Sequence, residues 1–161
     1  MNITNYLITY FFIFFVGFYP MKAQNKSFKK DSIAVNQVIN NLFDGMREGD
    51  SAKVNNTFHK NVVMLTTYKN KDNINLLEKG NLGKFLNAIA SPHPNIYDEK
   101  IWNTTIQIDE NLAQVWTEYA FYVGTEFSHC GVNAFQLIKD KNNKWKIISL
   151  IDTRRKDKCK K

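Results

Sequence analysis

The chain has 161 residues, 43% of them hydrophobic and 14% aromatic, and a formal net charge of +7. That length fits one ordinary domain and not two full cores, and the aromatic content excludes a disordered chain. The charge invites a nucleic-acid reading, which depends on where the basic residues sit.

From Tyr6 to Tyr19 the sequence is uncharged and holds eight of the 22 aromatic residues. A membrane-spanning helix needs about 20 apolar residues, and this run is shorter. Pro20 ends it, and Met21-Lys22-Ala23-Gln24 follows. An apolar core followed by a small residue is the layout of a secretory signal peptide. Residues 1–24 are therefore predicted to be that peptide, cut after Ala23 or Gln24. The n-region has no Lys or Arg, which leaves an uncleaved anchor as the rival reading. On the first reading the protein is periplasmic or secreted, with no integral membrane segment after cleavage.

The stretch from Arg154 to Lys161 contains six basic residues and one acidic residue, whereas Asn25 to Thr153 contains 15 basic and 14 acidic residues. The body is nearly neutral and the basicity is a C-terminal tail. No nucleic-acid partner is predicted.

Residues 25–30 are polar and read as a short leader. Asp31 or Ser32 caps a helix whose stripe is Ile33, Val35, Val38, Ile39, Leu42, Phe43 and Met46, spaced by threes and fours. Gly49 ends it, and Asp50 or Ser51 caps a short second helix holding Ala52, Val54 and Phe58. Val62 to Tyr68 is apolar and β-branched, hence a strand, and Leu76-Leu77 starts a short return strand. Asn81 caps a third helix with Leu82, Phe85, Leu86 and Ile89 on one face, and Pro92 and Pro94 stop it. Strands follow over residues 98–108, 112–123, 127–139 and 144–153, joined by short turns, so they pair as an antiparallel meander. Segregated helices and strands predict an α+β domain over residues 31–155, with a basic tail at 156–161. A bent sheet around the long first helix leaves a cavity.

Two stretches resemble a known superfamily. One is the helix–Gly49-Asp50-Ser51–helix unit with Phe58-His59 and a strand after it. The other runs through Phe127-Ser128-His129-Cys130-Gly131-Val132-Asn133, Trp145-Lys146-Ile147 and Asp152-Thr153-Arg154-Arg155. Together they resemble the nuclear transport factor 2-like superfamily, and within it a polyketide-cyclase-like or lumazine-binding-like bacterial secreted subgroup. The resemblance implies a cone-shaped, cystatin-like fold: a curved antiparallel sheet packed on about three N-terminal helices. It also implies a ligand pocket and a tendency to form homodimers. It implies no reaction, because this superfold hosts many.

Hairpin register adds candidate site residues. A tight turn at Gly124-Thr125 sets His129 near Ala120, which places Trp116, Glu118, His129, Asn133 and Phe135 on one face. One of Arg154 and Arg155 joins them, and a one-residue slip decides which. His129 titrates near neutrality and Glu118 is positioned to orient it, so these two form the predicted catalytic pair. The other predicted pocket residues are Trp116, Tyr119, Asn133, Phe135, Asp152, Arg154 and Arg155. Tyr119 is expected to reach in through its hydroxyl, and Asp152 to pair with Arg154. The same register brings Cys130 opposite residues 153–155, within reach of Cys159, and predicts a disulfide in an oxidising compartment. No metal-ligand spacing, Walker loop or dinucleotide motif is present, so no metal or cofactor is predicted.

The function predicted is an exported small domain that binds a small hydrophobic or aromatic ligand in the cone cavity. One alternative is an isomerase, dehydratase or hydrolase using His129 with a carboxylate there. A second is a non-catalytic, dimerising interaction domain. The sequence leaves open whether the protein is an enzyme.

Overall fold

The computed structural model describes residues 22–160. The run Tyr6–Tyr19, and the signal-peptide reading built on it, lie outside the described residues.

Helix α1 spans Lys22–Glu48. It starts well before the Asp31–Ser32 cap expected from the apolar stripe, so the predicted leader at 25–30 is helical. Lys, Ala and Gln favour helix, and no Gly or Pro interrupts the chain there. Asp31 does other work: its carboxylate accepts from Trp145 Nε1 at 3.1 Å and from Lys139 Nζ at 2.9 Å. The Lys139 hydrogen bond holds the Asp31 carboxyl below the usual carboxylate range. Within the stripe, Val35, Ile39, Leu42, Phe43 and Met46 are buried, while Ile33 is exposed. Gly49 takes a left-handed φ of 68° that ends the helix without a Cβ clash.

Helix α2 spans Ser51–Asn55, capped by the Asp50 side chain on the Lys53 amide at 2.8 Å. Phe58, expected on this helix, instead opens strand β1, Phe58–Lys69. Strand β2 is Asn75–Lys79, and helix α3 is Leu82–Ala90 with Asn81 as its cap. Strands β3 (Tyr97–Asp109), β4 (Leu112–Val123), β5 (Glu126–Lys139) and β6 (Trp145–Arg154) follow.

The six strands form one sheet in the order β2-β1-β6-β5-β4-β3. Strands β3 to β6 are the predicted meander, but β1 runs parallel to β6. A parallel neighbour needs a long connection, and α3 with β3 to β5 supplies it. Buried residues of α1 meet Val115, Phe135, Leu137 and Ile147 on the concave face of the sheet. Burying each such side chain contributes roughly 1.5–3 kcal/mol.

One irregularity decides the site. Val123 pairs with Glu126 and Tyr122 with Phe127, but Phe121 pairs with His129. Ser128 is therefore an extra residue, a β-bulge, and beyond it the register is shifted by one. His129 faces Phe121 and not Ala120. A one-residue shift exchanges faces, so His129, Gly131, Asn133 and Phe135 lie with Phe121, Tyr119, Thr117 and Val115. Trp116 and Glu118 are on the opposite, outer face.

Candidate functional site

A cavity of about 400 Å³ opens between α1, α3 and the concave face of the sheet. Its apolar wall includes Leu42, Phe43, Met46, Phe85, Phe135 and Leu150. Its polar lining comprises Thr66, Glu99, Tyr119, His129, Asn133, Asp152 and Arg154. At the mouth stand Glu78, Lys79, Asn81 and Lys84.

Asp152 is 8% exposed and fully engaged. Thr66 Oγ1 donates to Oδ1 at 2.6 Å, while Arg154 Nε donates to Oδ2 at 2.9 Å and the Tyr119 hydroxyl reaches Oδ2 at 3.4 Å. That hydroxyl makes its better bond to the Thr153 carbonyl, at 2.9 Å. Burial and the Asp152 charge push the Tyr119 hydroxyl's pKa upward, so it stays protonated and donates. Tyr119 fits there because its strand partner is Gly131. A Cβ on Gly131 would sit 1.8 Å from the Thr153 oxygen and 2.8 Å from the Tyr119 ring.

His129 packs against the rings of Tyr119 and Phe121, with centroids 5.7 and 5.2 Å away. Its Nδ1 is 2.9 Å from the hydroxyl of Ser128, the bulge residue. Burial, then the Arg154 charge, pushes its pKa down to about 4. His129 is therefore a neutral imidazole at pH 7, able to donate or accept a hydrogen bond but carrying no charge.

Glu99 on β3 was not among the sequence candidates. Asn133 Nδ2 donates to its Oε1 at 2.6 Å. Desolvation pushes its pKa up to about 7; the Asn133 bond opposes the shift and the nearby Asp152 charge adds to it. A carboxyl poised there can accept or deliver a proton near neutral pH. One signal was available in the sequence. Ile101 belongs to the core, and Glu99, two residues before it on the same strand, must share its face.

The remaining candidates lie elsewhere. Glu118 receives Trp102 Nε1 at 2.8 Å and Asn103 Nδ2 at 2.9 Å on the outer face. Those bonds hold its carboxyl below the usual range, as a fixed anion. Trp116 is 48% exposed on that face. Neither touches the cavity, so the expected His129–Glu118 pair does not form. Arg154 lines the cavity, and Arg155 bridges to Cys130 through two backbone bonds of 2.9 Å. Just beyond, Cys130 and Cys159 form a disulfide with their Cα atoms 5.8 Å apart. Among the described residues no cluster of His, Cys, Asp or Glu is arranged to hold a metal ion, and no helix is long and apolar enough to cross a membrane.

The profile of a family described as "putative lumazine-binding" matches residues 30–151. The chain belongs to this family. It has the cystatin-like cone of the nuclear transport factor 2-like superfamily, as the similar solved structures show. One, from Novosphingobium aromaticivorans, is described as nuclear transport factor 2-like with a cystatin-like fold; it is 9% identical, with 89% of this chain and 94% of that one covered at a TM-score of 0.66. A second, from Shewanella baltica and of unknown function, is 17% identical over 80% and 96% of the two chains, with a TM-score of 0.58. A third, described as a "putative dehydratase" from Streptomyces avermitilis, is 11% identical over 79% and 97%, with a TM-score of 0.57. No curated protein matches the chain.

Proposed function

We propose that this protein is an exported small domain that binds a small hydrophobic or aromatic molecule in the cone cavity. The observation that carries the reading is the cavity's two-sided chemistry, an apolar wall joined to a buried polar patch. Such a pocket takes up an apolar body and orients it by a few polar atoms. Membership of a family described as lumazine-binding points the same way. The Cys130–Cys159 disulfide suits an oxidising compartment and so supports export. Cleavage after Ala23 or Gln24 and a homodimer complete the proposal. N-terminal sequencing of the mature protein and light scattering test them in turn.

Titration with the neutral solvatochromic dye prodan tests the central claim. Saturable one-to-one binding is expected, and Leu150→Trp, which fills the cavity, abolishes it. Absence of saturable binding overturns the reading.

A second reading is favoured by one observation. Glu99, with its pKa near 7 in the polar lining of the cavity, is suited to proton transfer. On this reading the protein is an isomerase, dehydratase or hydrolase in which Glu99 is the acid–base group. His129, kept neutral, then acts as a hydrogen-bonding partner to the substrate. The "putative dehydratase" shares the fold, which is consistent with the reading but carries no reaction across. Turnover that follows one ionisation near pH 7 and is lost in Glu99→Gln is the expected result. Full activity in that variant overturns it.

A further inference from the structure

We propose that Glu99 and Asn133 form a head-group subsite that selects an uncharged ligand bearing a hydrogen-bond donor: an alcohol, an enol or an amide N–H. The inference rests on the reading of the cavity as a ligand site and names the class of ligand.

The first argument is charge matching. The cation on the polar side of the cavity is Arg154; its side chain is about half exposed and already paired, with Nε 2.9 Å from Asp152 Oδ2. An anionic head placed beside it meets the Asp152 carboxylate and the Glu99 carboxyl as well. His129 adds no positive charge, because burial and Arg154 keep it neutral. Lys79 and Lys84 stand on the exposed β2 and α3 at the mouth, where water weakens their pull. An anion entering this site would therefore lose its hydration without gaining an unpaired cation, which is costly. A cationic head is also poorly served. It would meet Glu99, but it would lose its hydration shell close to the Arg154 guanidinium.

The second argument is hydrogen-bond inventory. An amide side chain has two donor hydrogens and one acceptor oxygen. Asn133, only 4% exposed, uses its amide nitrogen on Glu99 Oε1. Among the described residues none donates to Glu99 Oε2 or to Asn133 Oδ1. The pair thus presents acceptors to the cavity, and an acceptor-rich subsite holds a head that donates more tightly than one that does not. A site built to bond a substrate O–H or N–H discriminates strongly, because its buried polar atoms are otherwise left unpaired.

The third argument is position. Glu99, Phe121 and His129 lie side by side on three neighbouring strands, in register. The Phe121 ring therefore lies between the two polar groups. Phe121 packs on the core, and the cavity wall beside these polar groups is Phe43, Phe135 and Leu150, so an apolar body resting on that wall shares the cavity with Glu99.

The test uses three probes with one body and different heads: 4-biphenylmethanol, 4-biphenylcarboxylate and 4-biphenylmethylammonium. Each displaces prodan from the full mature protein at pH 7.5. The alcohol is expected to bind at least fivefold tighter than either ion. In Glu99→Leu the alcohol is expected to lose about tenfold relative to prodan, which has no donor to give the carboxyl. Glu99→Met, which likewise removes both carboxyl acceptors, supplies the same comparison if the leucine variant does not fold. Tighter binding of the carboxylate or the ammonium overturns the proposal, as does an unchanged alcohol affinity in a folded variant. Failure of prodan itself to bind overturns the ligand reading beneath it, so the two failures are distinct.

Discussion

Asn133 Nδ2 lies 2.6 Å from Glu99 Oε1, on the far side of the intervening strand β4. Asn133 is level with Thr117 and Glu99 with Phe121, so the bond runs diagonally over the concave face. It lowers the Glu99 pKa against the stronger upward push of desolvation. Removing it in Asn133→Leu is expected to raise the Glu99 midpoint above 7 by about one pH unit, the scale of one charge-assisted hydrogen bond. Carboxyl carbon NMR titration reads this directly. An unmoved midpoint would separate Asn133 from the site.

Two opposite linkages meet in this cavity. Glu99 goes from an ordinary 4.5 to about 7 on folding, so the folded state holds its proton longer and stability falls as pH rises between those values. His129 goes from 6.5 to about 4, so the unfolded state binds the proton first and stability rises with pH over that window. Each effect is worth up to about 3 kcal/mol, and in the overlap they oppose. The wild-type stability curve is expected to be nearly flat between pH 4.5 and 6.5. Glu99→Gln should uncover a rising slope and His129→Phe a falling one. Urea unfolding at stepped pH checks the signs, and two parallel slopes would refute the pairing.

The disulfide closes a loop of 29 residues between Cys130 and Cys159. Cys159→Ser is expected to destabilise the fold by about 2–4 kcal/mol, the usual cost of freeing a loop of this length in the unfolded chain. The effect should appear as a lower denaturant midpoint, matched by the wild type under reducing conditions. An unaltered midpoint would mean that the tail contributes nothing to the cone.

Gly131 is predicted to tolerate no side chain. The Thr153 oxygen and the Tyr119 ring occupy the space a Cβ needs. Gly131→Ala should cost about 3 kcal/mol or more, the upper range for overpacking. It should also break the Tyr119 bond to Thr153, visible as altered near-ultraviolet circular dichroism. Glu118→Gln, on the outer face, is the matching control: prodan binding should be unchanged.

Much of the architecture was legible in the sequence. The core stripe of α1, the caps at Asp50 and Asn81, the four meander strands and the reach between Cys130 and Cys159 all follow from local spacing and short turns. Local rules work there because helix period, capping and tight turns involve neighbouring residues. The true start of α1 was hidden because a polar run can remain helical without contributing to a core.

The site was only partly legible, and one residue explains why. Ser128 bulges from β5, so everything after it changes face relative to a regular hairpin. That moved Glu118 and Trp116 out of the predicted site while Asn133, Phe135, Tyr119, Asp152 and Arg154 line the cavity. A bulge depends on packing across strands, and the period-two pattern carries no mark of it. Glu99 was missed for a related reason. Within Asp98-Glu99-Lys100 it looks solvated, and it becomes a titrating group near pH 7 only when β3, β5 and β6 bring Asn133 and Asp152 beside it and remove water. The sequence by itself determined the elements, the fold family and the concentration of the net positive charge in the tail. The tertiary structure alone decided which carboxyl faces the cavity, because burial and strand register arise from contacts between residues far apart in the chain.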